Sequence, residues 1–475
     1  MTPRGNAGSL AVSRTVAQTS AGRSSLRAGV AAAHRVVNHR AWPRFFAYTL
    51  ALYIAVVVGR IHESIPGLAA LYPGKITGVL LIAACFGQRS KIPIGSAFKT
   101  TVVRCIVVIT VLAVLSVPTS YWPKASVEFL TNQWPLVVLM GICVVAGFAD
   151  QRTAVLGIGA FTIAAGAGAV QLLLGAGLSD AGRLYIGAGG STTYDPNYSA
   201  AFFVMALPYA LMFATRPGWM RWIALPIIPC LAVAIINTGS RGGIVAFGVV
   251  VLSLILLAKK KHRARYFILV AGGVGAMTFV PHSQLSQRFE DVSNGTDYNF
   301  SSRDGRMEVW RRGIAMMESR PITGVGLRAY DAADGVISGS YTDAHNAIVQ
   351  IAAELGVGGL AAFVTAIVAA FRLGRRRRRE LSRPSASIAE TDRALAAALI
   401  TAALCALIAD IASDMFLSMA YEAMTLFAIA APCGLALSLT RHAASGDARI
   451  ARRGASPVGE RRRTASAMPF DRGRV

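Results

Sequence analysis

Residues 242–258 read GGIVAFGVVVLSLILLA, and residues 259–263 directly after them read KKKHR. Seventeen residues pass without a charge, and the next five carry four cations. A bilayer-spanning helix needs roughly 20 predominantly apolar residues, with a few to spare either way. Lys and Arg clustered at the end of such a run mark a cytoplasmic loop. This stretch therefore reads as a transmembrane helix that ends on the inner side.

Outward from it the same pattern recurs at 44–59, 64–86, 101–117, 134–149, 153–175, 198–215, 221–237, 265–280, 346–371, 394–413 and 416–438. The second of these is interrupted by Pro66, Pro73 and Lys75. The expected fold class is all-α: a polytopic membrane protein of about twelve transmembrane helices. If the N-terminus is inside and the chain alternates, every strongly basic short loop falls on the inner face. These loops are 88–91, 150–152, 216–221, 259–265, 372–383 and the segment from Arg441. The outer loops are then 118–133, 176–197, 238–241, 281–345 and the turn at Asp414 and Met415. Five segments follow: a basic, disordered arm over 1–42, spans one to nine over 43–280, a large periplasmic helical loop over 281–345, spans ten to twelve over 346–440, and a basic, disordered tail over 441–475. The protein is expected in the bacterial inner membrane, with both termini cytoplasmic.

Composition agrees. Of 475 residues, 54% are hydrophobic and only 15% charged, and the mean hydropathy is +0.50. A soluble chain of this length carries more charge. The net charge of +24 sits at the ends of apolar runs, which points to anionic headgroups rather than to nucleic acid. The six cysteines all lie in apolar stretches and form no CxxC, so they imply neither disulfides nor zinc.

Four outer stretches carry residues suited to chemistry. The first, 187–197, ends in Tyr194, Asp195, Pro196 and Asn197 before a span; these residue types also cap a helix start. The second is Ser240-Arg241-Gly242-Gly243 between two spans. Its arginine either snorkels to outer headgroups or faces an anion that the flanking glycines let the backbone approach. The third holds Arg303, Gly305, Arg306 and Trp310. It opens a helix whose apolar face is expected to be Met307, Trp310, Ile314 and Met317 docking on the membrane domain, with the helix stopped at Pro321 and a turn at 324–326. Solvated arginines on a surface helix are the plain alternative. The fourth places His345 and Asn346 where the loop re-enters the membrane, with Glu354 inside the next span, where a carboxylate is costly.

In this order the stretches resemble the O-antigen ligase and polymerase superfamily, the Wzy/WaaL-type membrane glycosyltransferases. The pieces are Asp195-Pro196-Asn197, Ser240 to Gly243, Gly305-Arg306 with Trp310, Pro321 with Gly324 and Gly326, and His345-Asn346 with Gly356 and Gly359. The resemblance covers roughly 190–360. It implies a GT-C-like fold and a metal-independent, inverting transfer of a glycan from an undecaprenyl (polyprenyl) diphosphate carrier to an acceptor hydroxyl, with no cofactor. It also implies Arg241 and Arg306 on the diphosphate, with Arg303 as the other arginine that aligns with the motif. His345 becomes the base or orienting group, with Tyr194, Asp195, Asn197, Ser240, Trp310 and Asn346 around the substrate. The partners are the carrier-linked donor, a glycan, lipid or protein acceptor, and membrane lipids. Glu63 stands alone in the first outer loop, without the carboxylate pair that holds metal in other GT-C enzymes. A polymerase or a protein O-glycosylating enzyme shares these motifs. A transporter or flippase using Glu354 and Asp410 as a proton relay is the reading from a different class.

Overall fold

The computed structural model describes residues 44–60, 67–89, 92–175, 184–186, 195–257, 304–383 and 389–438, with isolated positions between them. The expected span 265–280, both terminal arms, Glu63, Tyr194 and Arg303 lie wholly or mainly outside the described residues. The helices are α1 (Arg44–Val57), α2 (Pro73–Gly87), α3 (Thr101–Ser116), α4 (Pro123–Asn132), α5 (Trp134–Gly147), α6 (Gln151–Leu173), α7 (Pro196–Ala214), α8 (Met220–Asn237), α9 (Arg241–Leu257), α10 (Arg306–Ser319), α11 (Tyr330–Ser338), α12 (Ala347–Ser382), α13 (Glu390–Asp414) and α14 (Ala423–Leu437). Regular structure among the described residues is helical throughout.

Among the described residues six helices are long and apolar enough to cross a membrane: α3 with its extension to Thr119, α6, α7, α8, α12 and α13. The count is seven if α4 and α5, bent by 41° at their junction, form one span. Helices α1, α2, α9 and α14 are apolar but shorter. Eleven of the twelve expected runs thus coincide with helices, but five of those helices, α1, α2, α5, α9 and α14, fall short of a full span. At 416–438 the reason is local: α14 starts only at Ala423, and 415–422 is a loop.

Apolar matter faces both ways. Helix α7 is the central one, with 89% of its best window buried. Around it Phe161 packs on Phe202 and Phe427 with centroids 5.4 and 5.1 Å apart. Helix α3 instead leaves Val107, Val108, Val111, Val114 and Leu115 exposed. A contiguous face of this kind needs an apolar solvent.

Helix α12 breaks at Gly356, whose φ of 65° is left-handed. The break strips Ala353, Glu354 and Val357 of their helical hydrogen bonds, and the 321–326 turn supplies replacements. Val357 N donates to Pro321 O at 2.8 Å, Val325 N to Ala353 O at 2.9 Å and Gly326 N to Glu354 O at 3.1 Å. A Cβ at Gly324 would lie 2.3 Å from Glu354 carbonyl atoms, and one at Gly356 2.3 Å from Pro321 O. The two glycine motifs are therefore the two halves of one backbone joint.

Helix α10 corrects the expected docking face. Met307 and Ile314 are exposed, and the buried side is Val309, Arg312, Gly313 and Met316. Gly313 lets the helix close on Val349 and Tyr330. Arg312 is buried against Asp334 at 2.5 Å, with Thr342 completing the pair. A paired arginine and a glycine fit this interface more closely than the larger apolar residues would, which turns the helix by about 100° from the expected face.

Candidate functional site

Four helix N-termini meet at one end of the bundle, and each is capped by a motif residue or starts on one. Asp195 caps α7, accepting from Asn197 N and Tyr198 N at 2.7 and 2.9 Å, and Asn197 Nδ2 donates to it as well. Ser240 Oγ accepts from Gly243 N at 3.1 Å at the start of α9. Asn346 Oδ1 accepts from Ile348 N and Val349 N at the start of α12. Gly305 precedes α10. These residue types satisfy N–H groups that a helix start leaves open. So the plain capping reading of Asp195 holds, and the cap also brings α7 to the site.

The 415–422 loop ties the four ends together. Tyr198 Oη donates to Ser418 O at 3.2 Å, His345 N to Ser418 Oγ at 2.9 Å and Asn346 Nδ2 to Met415 O at 3.4 Å. The Arg306 guanidinium lies 5.8 Å from the Phe416 ring centroid. Gly242 packs on the same ring, where a Cβ would come within 2.9 Å. A Cβ at Gly243 would lie 2.6 Å from Ala200 of α7, so α7 and α9 are in close contact here.

His345 is held from both sides in the left-handed region, with φ of 47°. The preceding carbonyl, Ala344 O, accepts from Trp310 Nε1 at 3.0 Å, and the His345 N–H is the one bound by Ser418. Histidine tolerates this conformation better than most residues, but it still costs energy, and the two clamps maintain it. Burial pushes the imidazole pKa below its ordinary 6.5, and Arg306 pushes it the same way against Asp343 and Asp195. The ring is therefore neutral at pH 7 and offers a lone pair.

Arg241 and Arg306 are half-buried at the starts of α9 and α10. Both sit at the positive ends of helix dipoles, which disfavours a further cation and favours an anion at each. A third arginine lies close by. Arg328 (φ 56°) has its guanidinium 5.3 Å from the Phe129 ring centroid. Burial works against its charge, but Glu422, Glu354 and Asp343 outweigh that and keep it cationic. Glu354 accepts from Arg328 N at 3.0 Å and Tyr330 N at 3.4 Å. This carboxylate, costly inside a span and a proton relay only in the transporter reading, is thus engaged in holding the 326–330 backbone.

The structure brings together His345, Arg306, Asp195, Asn346 and Trp310, with Asn197 and Ser240 in the adjoining caps and Arg241 beside Gly242. Sequence reading missed Phe416, Ser418 and Arg328. Phe416 and Ser418 fall in an apolar run that reads as the start of a span, and Arg328 follows a glycine turn without a motif of its own. Ser418 and Glu422, polar residues five and one positions ahead of Ala423, are the signal that was available. Among the described residues no group of three or more His, Cys, Asp or Glu side chains is placed to hold a metal ion.

No curated protein matches the chain. The family model Wzy_C, described as O-antigen ligase, matches residues 226–364, which take in Arg241, Arg306, His345 and both halves of the glycine joint. That match falls on the residues that build this site and supports the likeness to the O-antigen ligase/polymerase superfamily.

Proposed function

We propose that this protein transfers a glycan from a polyprenyl diphosphate carrier to an acceptor hydroxyl at the outer face of the inner membrane. The observation that carries the reading is the meeting of four helix N-termini and two half-buried arginines around a neutral histidine. Such a place favours a polyanion and supplies a base beside it.

The chemistry balances without a metal. The acceptor oxygen attacks the anomeric carbon of the donor sugar from the face opposite the diphosphate. The bond from that carbon to the phosphate oxygen breaks, and the electron pair leaves with the diphosphate. The acceptor proton passes to the imidazole of His345. Arg241 and Arg306 hold the diphosphate as its charge grows; a unit pair at about 4 Å gains on the order of 4 kcal/mol at an effective dielectric near 20. Configuration at the anomeric carbon inverts. Phe416 backs the Arg306 guanidinium, and Trp310 and Ser418 fix the base.

The test is a transfer assay in membranes carrying the chain, with the lipid-linked donor and chelator present. Transfer that continues under chelator and is lost in Arg306→Ala and His345→Ala supports the reading. Full transfer in either variant removes that residue from the site, and strong inhibition by chelator removes the metal-free step. Lengthened carrier-linked chains would identify a polymerase; chains moved to lipid or protein would identify a ligase.

A further inference from the structure

The C-terminal turn of α13 buries two carboxylates that the transfer step does not use. Asp410 and Asp414 are 1% and 2% exposed and stand one turn apart on the same helix face. Neither forms a salt bridge among the described residues. Both oxygens of Asp410 and one of Asp414 accept no hydrogen bond. The other Asp414 oxygen lies 3.5 Å from Thr425 Oγ1 of α14, at the edge of bonding distance. On α7 the hydroxyl of Tyr209 is likewise fully buried and without a hydrogen-bond partner, close enough to Asp410 for their charges to interact. Glu422, at the start of α14, adds negative charge toward Asp414.

The surroundings make a cation the missing element. Because α13 ends at Asp414, the negative pole of its dipole points into the same pocket as the two acids. Burial takes away the water that would otherwise solvate them, and buried carboxylates persist only when paired, neutralised or coordinated. Carboxylate and hydroxyl oxygens are hard donors suited to hard cations, and helix C-termini inside bundles recur as sodium sites. Calcium takes about six to eight oxygens, and two acids and two hydroxyls reach only the bottom of that range, with every oxygen engaged.

We propose that Asp410, Asp414, Thr425 and Tyr209 bind one monovalent alkali cation of the sodium class. The cation ties the end of α13 to α7 and α14. Residue 415 follows Asp414 directly, so occupancy also steadies the loop that carries Phe416 and Ser418. The site itself does not depend on the glycan-transfer reading.

The experiment compares the purified full chain in detergent at pH 8 in sodium chloride and in choline chloride at equal ionic strength. Sodium should raise the unfolding midpoint by about 2–4 °C or more and saturate, and radiolabelled sodium should bind saturably. Asp410→Asn and Thr425→Val should lose the sodium shift, with Asp410→Asn no less stable than the parent in choline. Equal midpoints in the two salts, together with no saturable sodium binding to the parent chain, would overturn the proposal and leave a protonated acid pair. If Asp410→Asn fails to fold, sodium binding to the parent chain still decides. Saturable binding in a chain that transfers no glycan would support this site while removing the transferase reading.

Discussion

The two ends of the bundle both gather arginines, yet they use them in opposite ways. At the end away from His345, Arg378 reaches the Leu257 carbonyl at the C-terminus of α9, and Arg377 reaches Ala436 O near that of α14. Arg376 and Arg377 share Glu380, and Arg393 takes Glu390 and the Arg383 carbonyl. These cations meet helix C-termini and carboxylates, and their charge is consumed within the fold. At the His345 end the arginines are fewer, and Arg241 and Arg306 stand at helix N-termini, where the backbone repels them. Counting cations would place an anion site at the wrong end. The helix end at which each guanidinium sits, N-terminal or C-terminal, separates the two groups of arginines.

The contrast breaks most sharply on the histidine and arginine of the site. His345→Ala should slow glycan transfer by roughly 10²–10⁴-fold, and Arg306→Ala by about 10²–10³-fold. Membrane levels of the chain should hold in both, read by transfer rate against protein amount. A second measurement concerns pH. Because His345 titrates below 6.5, transfer should stay level from pH 8 down past 6.5 and fall only below that, as the base gains its proton. Arg306→Gln leaves burial, the larger influence, in place and removes the next one. The acid limb should therefore move to higher pH, and an unmoved limb would detach Arg306 from His345.

Smaller effects probe the scaffold. Gly356→Ala forces a Cβ into the left-handed region 2.3 Å from Pro321 O. It should cost about 1–3 kcal/mol or more of stability, read as a lowered unfolding midpoint. Ser418→Ala removes the bond to His345 N, about 1 kcal/mol or roughly fivefold in transfer. At the far end Arg378→Ala should cost about 0.3–1 kcal/mol and leave transfer unchanged. A transfer defect there as large as in Arg306→Ala would collapse the distinction between the two ends.

Much of this was legible along the chain, because bilayer solvent writes its demand into local composition. The apolar run 242–258 and its basic flank are read one residue after another, and so is the cap at Asp195. The face of α10 was misread because spacing counts apolar residues and cannot see that Arg312 has a buried partner in Asp334, 22 positions on. The start of α14 was misplaced for a related reason: Phe416 and Leu417 look like span residues, while Ser418 is kept out of helix by a contact 73 positions away.

Sequence by itself determined that the chain is a helical membrane protein, where most of its apolar helices lie, and which residue types recur in an O-antigen ligase domain. Those features depend on neighbours within a few positions, through hydropathy and capping. Only the tertiary structure decided that Glu354 serves the backbone of the 326–330 turn, that Arg306 acts on His345, and that Asp410 and Asp414 are buried within reach of Tyr209 and Thr425. Each of these rests on groups far apart in the chain, whose charges and hydrogen bonds acquire meaning only after packing has removed the water between them.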